Sequence, residues 1–211
     1  IEVCLVGSEM CIRDRKYAKA LEEAEKLYTK DKDNLRFMIA YAVTLQQTNK
    51  QEEALELYNK ILNIDKKNPE ILVSKGHLQK TFGDLKGSID SYKKSYKIDQ
   101  YYGDAYWSLA NLKTYQFNDE EIMQLEKMTQ DEFINDNEKI YMSFALGKAF
   151  EDRGEYDKSF TNYQNGNSLK KEFTKFDLKL FDEECKNQKE VCTRDLFCLL
   201  YTSDAADEGG S

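Results

Sequence analysis

A self-similarity at a step of 34 residues runs along this chain and restricts its fold more than any other feature. Ala20, Ala54 and Ser88 are spaced by 34, as are Asp31, Asp65 and Asp99, Ala24, Tyr58 and Tyr92, and Ala42, Gly76 and Ala110. Three residues later than the strict step, Gly147, Gly154, Tyr156, Ser159 and Tyr163 resume the order. A unit of that length is too small to enclose a core by itself, so successive units must stack and share one. The three extra residues fall in Asp131 to Glu138, a polar stretch with Asn135 and Asn137 that predicts a loop.

Inside each unit the apolar residues recur at helical spacing. Leu72, Gly76 and Gln79 step along one face of a first helix, and Leu85, Ser88, Ile89 and Tyr92 along a second. Phe82-Gly-Asp84 reverses the chain between them. Gly83 and Gly154 suit the left-handed conformation that ends a helix, and Asn49 is the next best residue for it. Small side chains at Ala54, Ser88 and Ser159 allow close approach of the paired helices, with Tyr58, Tyr92 and Tyr163 filling the space beside them.

The pattern resembles the tetratricopeptide repeat, most closely over Phe144 to Tyr163. The closing proline of that repeat is absent, with Lys66 and Gln100 in its place, and the unit after Lys113 is irregular. There Phe117-Asn-Asp-Glu-Glu replaces the glycine turn, with Asn118 or Asp119 as cap of the next helix. The resemblance implies an all-α superhelical solenoid of antiparallel helix pairs. Residues 16–172 then hold about 4.5 units, with phases starting near 35, 69, 103 and 140. Helices are expected at about 16–30, 35–48, 51–64, 69–82, 85–98, 103–116, 119–130, 138–152 and 155–171. A further linker helix is expected at about 175–190, within a segment 173–197.

The two ends fit this pattern poorly. Met10 to Arg15 and Cys198 to Ser203 can be encoded by DNA strings that are reverse complements of each other. They resemble the translated arms of a transposase-inserted sequencing adapter, so 1–15 and 198–211 are expected to be foreign to the fold. Glycines 209 and 210 are then no phosphate loop. Of the cysteines only Cys185 and Cys192 remain, too few and too poorly spaced for a disulfide framework or a zinc site, and they suggest a reducing, cytoplasmic setting.

Composition narrows the function classes. A formal charge of -8 argues against sequence-independent nucleic-acid binding, which needs a basic surface to displace counterions. No apolar run approaches eighteen residues, so no transmembrane helix is expected. A single histidine, His77, has no cysteine or second histidine at ligand spacing, which argues against a metal. Adjacent carboxylates such as Glu22 and Glu23, or Glu120 and Glu121, diverge by about 100° on a helix and cannot share one substrate. No catalytic residue, cofactor site or metal site is expected.

Residues 101–197 are also similar to the repeat region of bacterial proteins that join tetratricopeptide repeats to a sulfotransferase domain. The likeness rests on Trp107-Ser-Leu-Ala-Asn-Leu-Lys113, Phe117-Asn-Asp-Glu-Glu-Ile122 and Phe144 to Lys171. It implies that the chain is the repeat part of such a protein, cut before the strand and glycine-rich loop that would bind a phosphosulfate donor. The expected function is a protein–protein interaction scaffold. The alternatives are sulfotransferase activity of the full-length gene product and a purely structural repeat protein.

The inner surface of such a solenoid is lined by the first helices. In the repeat phase that surface carries Ile39, Val43, Val73, His77, Trp107, Asn111, Phe144 and Lys148, a stripe suited to a protein or peptide partner through apolar area and amide hydrogen bonds. The competing reading makes Trp107 partly core and the rest ordinary surface. A clamp for a terminal carboxylate would need several Lys, Arg and Asn residues across adjacent units, and only Asn111 and Lys148 offer themselves.

Overall fold

The computed structural model describes residues 17–173 and 178–192, and the two ends expected to be foreign, 1–15 and 198–211, lie outside them. The described residues form ten helices and no strand: α1 Tyr17–Lys30, α2 Leu35–Gln47, α3 Gln51–Ile64, α4 Pro69–Thr81, α5 Leu85–Ile98, α6 Gly103–Ala110, α7 Asp119–Thr129, α8 Asp136–Asp152, α9 Tyr156–Phe173 and α10 Leu178–Val191. The chain divides into two compact units, Ile1–Lys170 and Lys171–Ser211.

In the first unit, α2 pairs with α3 and α4 with α5, and each pair packs on the next. The helix starts follow from local chemistry. Asn34 and Asn68 accept amide hydrogens of the first turns of α2 and α4, and Pro69 needs no partner for its nitrogen at the start of α4. The expected left-handed residues close the pairs: Asn49 (φ 63°), Gly83 (φ 80°) and Gly154 (φ 73°).

Close approach of the helices depends on missing side chains. A Cβ at Gly76 would collide with the Tyr92 ring, and one at Gly147 would lie 2.7 Å from the Tyr163 ring. Ala54 and Ser88 are fully enclosed, as are Tyr58 and Tyr92. The Tyr hydroxyls reach back to the first helix of their pair, Tyr58 to Gln46 Oε1 at 2.8 Å and Tyr163 to Glu151 Oε2 at 3.0 Å. Each ring removes on the order of 150–250 Å² from water while its polar end stays satisfied. Burial pushes the Tyr58 phenol up to about 12.

The third pair departs from this plan. The expected helix 103–116 stops at Ala110, and Lys113 takes a positive φ of 60°. Leu112, Tyr115 and Phe117 then turn inward and are buried. Glu121 holds the segment: its Oε1 accepts the hydroxyls of Tyr115 at 2.6 Å and Tyr96 at 2.8 Å, while Oε2 accepts the Asn118 amide at 3.1 Å. Asn118 returns a side-chain bond to the Glu121 amide, which completes a capping box for α7. Arg153 adds a bond to the Phe117 carbonyl at 3.0 Å and an ion pair with Asp119 at 2.7 Å. Helix α6 therefore packs chiefly on α8 of the following pair.

In the second unit, α10 spans Leu178–Val191, with Leu178, Leu180, Phe181 and Val191 exposed. Cys185 and Cys192 are free thiols.

Candidate functional site

The eight stripe residues lie on first helices, or at their ends, in four successive pairs: α2, α4, α6 and α8. Their environments differ. Ile39 and Val43 are half-buried on α2, with Ile39 packed against the first core cluster. Val73, at 2% exposure, is enclosed with Tyr92 and Tyr106 in the second cluster and offers no side-chain surface to a ligand. A residue at stripe phase is thus core here, and Trp107 packs against the cluster that contains it.

His77 is also committed. Its Nδ1 lies 2.9 Å from the Tyr92 hydroxyl, and the two rings meet edge to face at 5.5 Å. Burial lowers the imidazole pKa, against the pull of Asp104 and with the help of Lys80, so the ring is neutral at neutral pH and shares one hydrogen bond with the phenol through Nδ1. That arrangement holds Tyr92 in place and leaves no activated acid or base.

Trp107 and Phe144 are brought together. Their rings lie 5.5 Å apart at an interplanar angle of 46°, and both are half-buried. Phe144 continues to Tyr163 at 6.4 Å, and the Lys170 ammonium sits 5.9 Å from the Phe144 centroid. Gly166 makes room, since a Cβ there would lie 3.1 Å from the Phe144 ring. Three aromatic residues from α6, α8 and α9 thus form a run that reaches solvent on one side. The repeat phase gives Tyr163 as a space-filling residue, and its register with Tyr58 and Tyr92 is the sequence signal that places it here.

Asn111 is exposed and caps the end of α6. Lys148 is drawn away from a ligand role by Asp152 at 2.6 Å and Glu151 at 3.4 Å, and the hydrogen bond to Asp152 raises its pKa. Those acidic residues stand three and four positions after Lys148, a spacing readable in the sequence. Neither residue builds a carboxylate clamp.

A row of helix pairs, a left-handed residue at each regular turn and a glycine opposite Tyr92 and Tyr163 decide the fold. The molecule is a tetratricopeptide-repeat solenoid. Residues 12–75 match one family model described as a tetratricopeptide repeat, and residues 69–102 match a second with the same description. Among solved structures the chain is similar to MamA, at 17% identity and a TM-score of 0.56, over 80% of this chain and 97% of that one. MamA from Desulfovibrio magneticus RS-1, residues 41 to the end, aligns at 13% identity and a TM-score of 0.55, over 81% and 95% of the two chains. A Podosopora anserina protein described as a kinesin light chain with nearly identical TPR-like repeats aligns at 12% identity and 0.57, over 83% and 97%. At these identities the likeness concerns the fold. No curated protein matches the sequence.

Among the described residues, no group of three or more His, Cys, Asp or Glu side chains is placed to hold a metal ion, and no helix is long and apolar enough to cross a membrane.

Proposed function

We propose that this chain is a protein–protein interaction scaffold that receives a peptide segment of a partner along the row of first helices, anchored at Trp107 and Phe144. One observation carries the reading: two large aromatic rings from adjacent pairs lie 5.5 Å apart and stay partly open to solvent. A ring that served only the core would be closed over, as that of Tyr106 is on the same helix. Aromatic anchors of this kind dominate the energetics of peptide interfaces. Ile39 and Val43 extend the row with further apolar area, and Asn111 supplies an amide to pair with backbone. The chain's acidic charge disfavours nucleic acid as the partner.

The test replaces Trp107, Asn111 and Phe144 together by Ala and compares partner capture with the native chain in pull-downs. Capture should fall by at least about tenfold, the effect of losing one or two anchors, with helical circular dichroism retained. Undiminished capture at intact helicity would remove the row as the binding surface.

A second reading concerns the parent gene. The likeness over residues 101–197, in particular Trp107 to Lys113 and Phe117 to Ile122, supports a protein in which these repeats precede a cytoplasmic bacterial sulfotransferase domain. Reading the gene from an independent assembly tests it. A strand and phosphate-binding loop downstream of Phe197 is the expected result, and a stop codon at that point would leave the scaffold reading alone.

A further inference from the structure

One turn joins each pair to the next, and it occurs four times. Asp31, Asp65, Asp99 and Asp131 each accept, at Oδ1, the amide two residues on, which belongs to Asp33, Lys67, Tyr101 and Phe133 at 3.2, 3.3, 2.9 and 3.0 Å. In the first two turns that third residue is charged, as suits an exposed position. In the last two it is aromatic, and the structure gives the rings little to bury: Tyr101 is 42% exposed and Phe133 98%. A bare phenyl ring at a turn tip adds nothing to folding.

The two aromatic turns flank a cavity of about 270 Å³. Its walls combine rings of Tyr101, Tyr102 and Phe133 with carboxylates of Asp99, Asp131 and Glu138, and none of its lining residues is basic. Tyr102, at the position that precedes α6, gives no side-chain cap, where α2 and α4 have Asn34 and Asn68, and Glu138 Oε2 accepts the Gly103 amide instead. Glu138 is therefore fixed at the cavity wall. Burial, opposed by the Gly103 amide and reinforced by Asp104 and Asp99, pushes its carboxyl above the ordinary value. The three carboxylates do not converge closely enough for a metal ion. The walls suit an extended group with a diffuse positive charge and an apolar stem, which gains from both rings and carboxylates.

We propose that this cavity binds the guanidinium or ammonium group of an arginine or lysine side chain presented by a partner protein. The rim at Phe133 is open to solvent, so the bound side chain can remain joined to a larger body. None of the residues involved belongs to the Trp107–Phe144 row, so either site can fail without the other.

Acetyl-Gly-Arg-Gly-amide, titrated into the full chain, should move the amide resonances of Tyr101, Gly103 and Phe133 saturably, with Kd on the order of 1 mM for one side chain. The neutral citrulline analogue should not. Phe133→Ala cannot cost packing, and Asp131→Asn keeps the acceptor for the Phe133 amide; each should weaken binding by about fivefold. Equal shifts from arginine and citrulline peptides, or native affinity in both variants, would overturn the proposal. Free butylguanidinium binding more tightly than the peptide would assign the cavity to small cations and overturn the side-chain assignment.

Discussion

The α4–α5 pair and the helices α6 and α7 occupy equivalent places in successive units, yet the connections between their helices are built in different ways. In the first, a turn of three residues with Gly83 at φ 80° brings the helices back at once, and the Tyr92 ring fills the space left by Gly76. In the second, eight residues separate the helices, and Leu112, Tyr115 and Phe117 fold inward around Glu121. Backbone freedom at one position does the work in the regular pair. The irregular pair relies on a buried carboxylate that satisfies two phenols and a helix cap, and that strategy is sensitive to a single side chain.

The largest expected effect is therefore at Glu121, 8% exposed. Glu121→Ala leaves the hydroxyls of Tyr96 and Tyr115 without their acceptor and removes half of the capping box, and should cost about 3–5 kcal/mol in urea unfolding. A cost below about 1 kcal/mol would mean that the segment 111–118 is held by its apolar residues alone. Charge contributes separately. Burial opposes ionisation, but bonds from Tyr115, Asn118 and Tyr96, with Lys93 at 3.8 Å, outweigh it and lower the Glu121 pKa below its ordinary 4.5. A depressed carboxyl stabilises the fold above its unfolded pKa, and that contribution is lost as pH falls through the folded value. The stability gap between native chain and Glu121→Gln should be full at pH 7 and shrink below about pH 4.5.

Smaller effects of opposite sign are expected at the two left-handed turns. Gly83→Ala meets no neighbouring atom within 4 Å but must adopt φ 80°, so it should lose about 1 kcal/mol. Lys113→Gly relieves the same strain at φ 60° and should gain about 0.5 kcal/mol after the greater entropy of the unfolded glycine. Thermal melts of both variants measure the contrast. Equal losses at the two sites would show that Lys113 is held by contacts of its own side chain.

Where the fold follows from local rules, the sequence makes it readable. The step of 34 residues placed the helix pairs, and Asn49, Gly83 and Gly154 took the conformations their chemistry favours. The sequence predicts a helix over 103–116, longer than the observed one, because Leu109, Leu112 and Tyr115 keep a spacing of three that a longer helix would also bury. What ends it at Ala110 is Glu121, six residues beyond Tyr115, and periodicity carries no information on that bond. The same limit applies to the stripe. Trp107 and Phe144 share a phase and lie side by side, but phase carries no information on the burial of Val73 in the core or on the bond between Tyr92 and His77. The aromatic turns at Tyr101 and Phe133 lie between helices, where helical periodicity carries no signal.

The scaffold account stands on the Trp107–Phe144 pair, and Trp107 is the only tryptophan in the chain. Its emission reports directly on that surface. Peptides selected from a random display library against the native chain should shift or quench it saturably, and should lose about tenfold in affinity for Phe144→Ala. Selected peptides that bind while leaving Trp107 emission unchanged, and that bind Phe144→Ala as well as the native chain, would contradict the account.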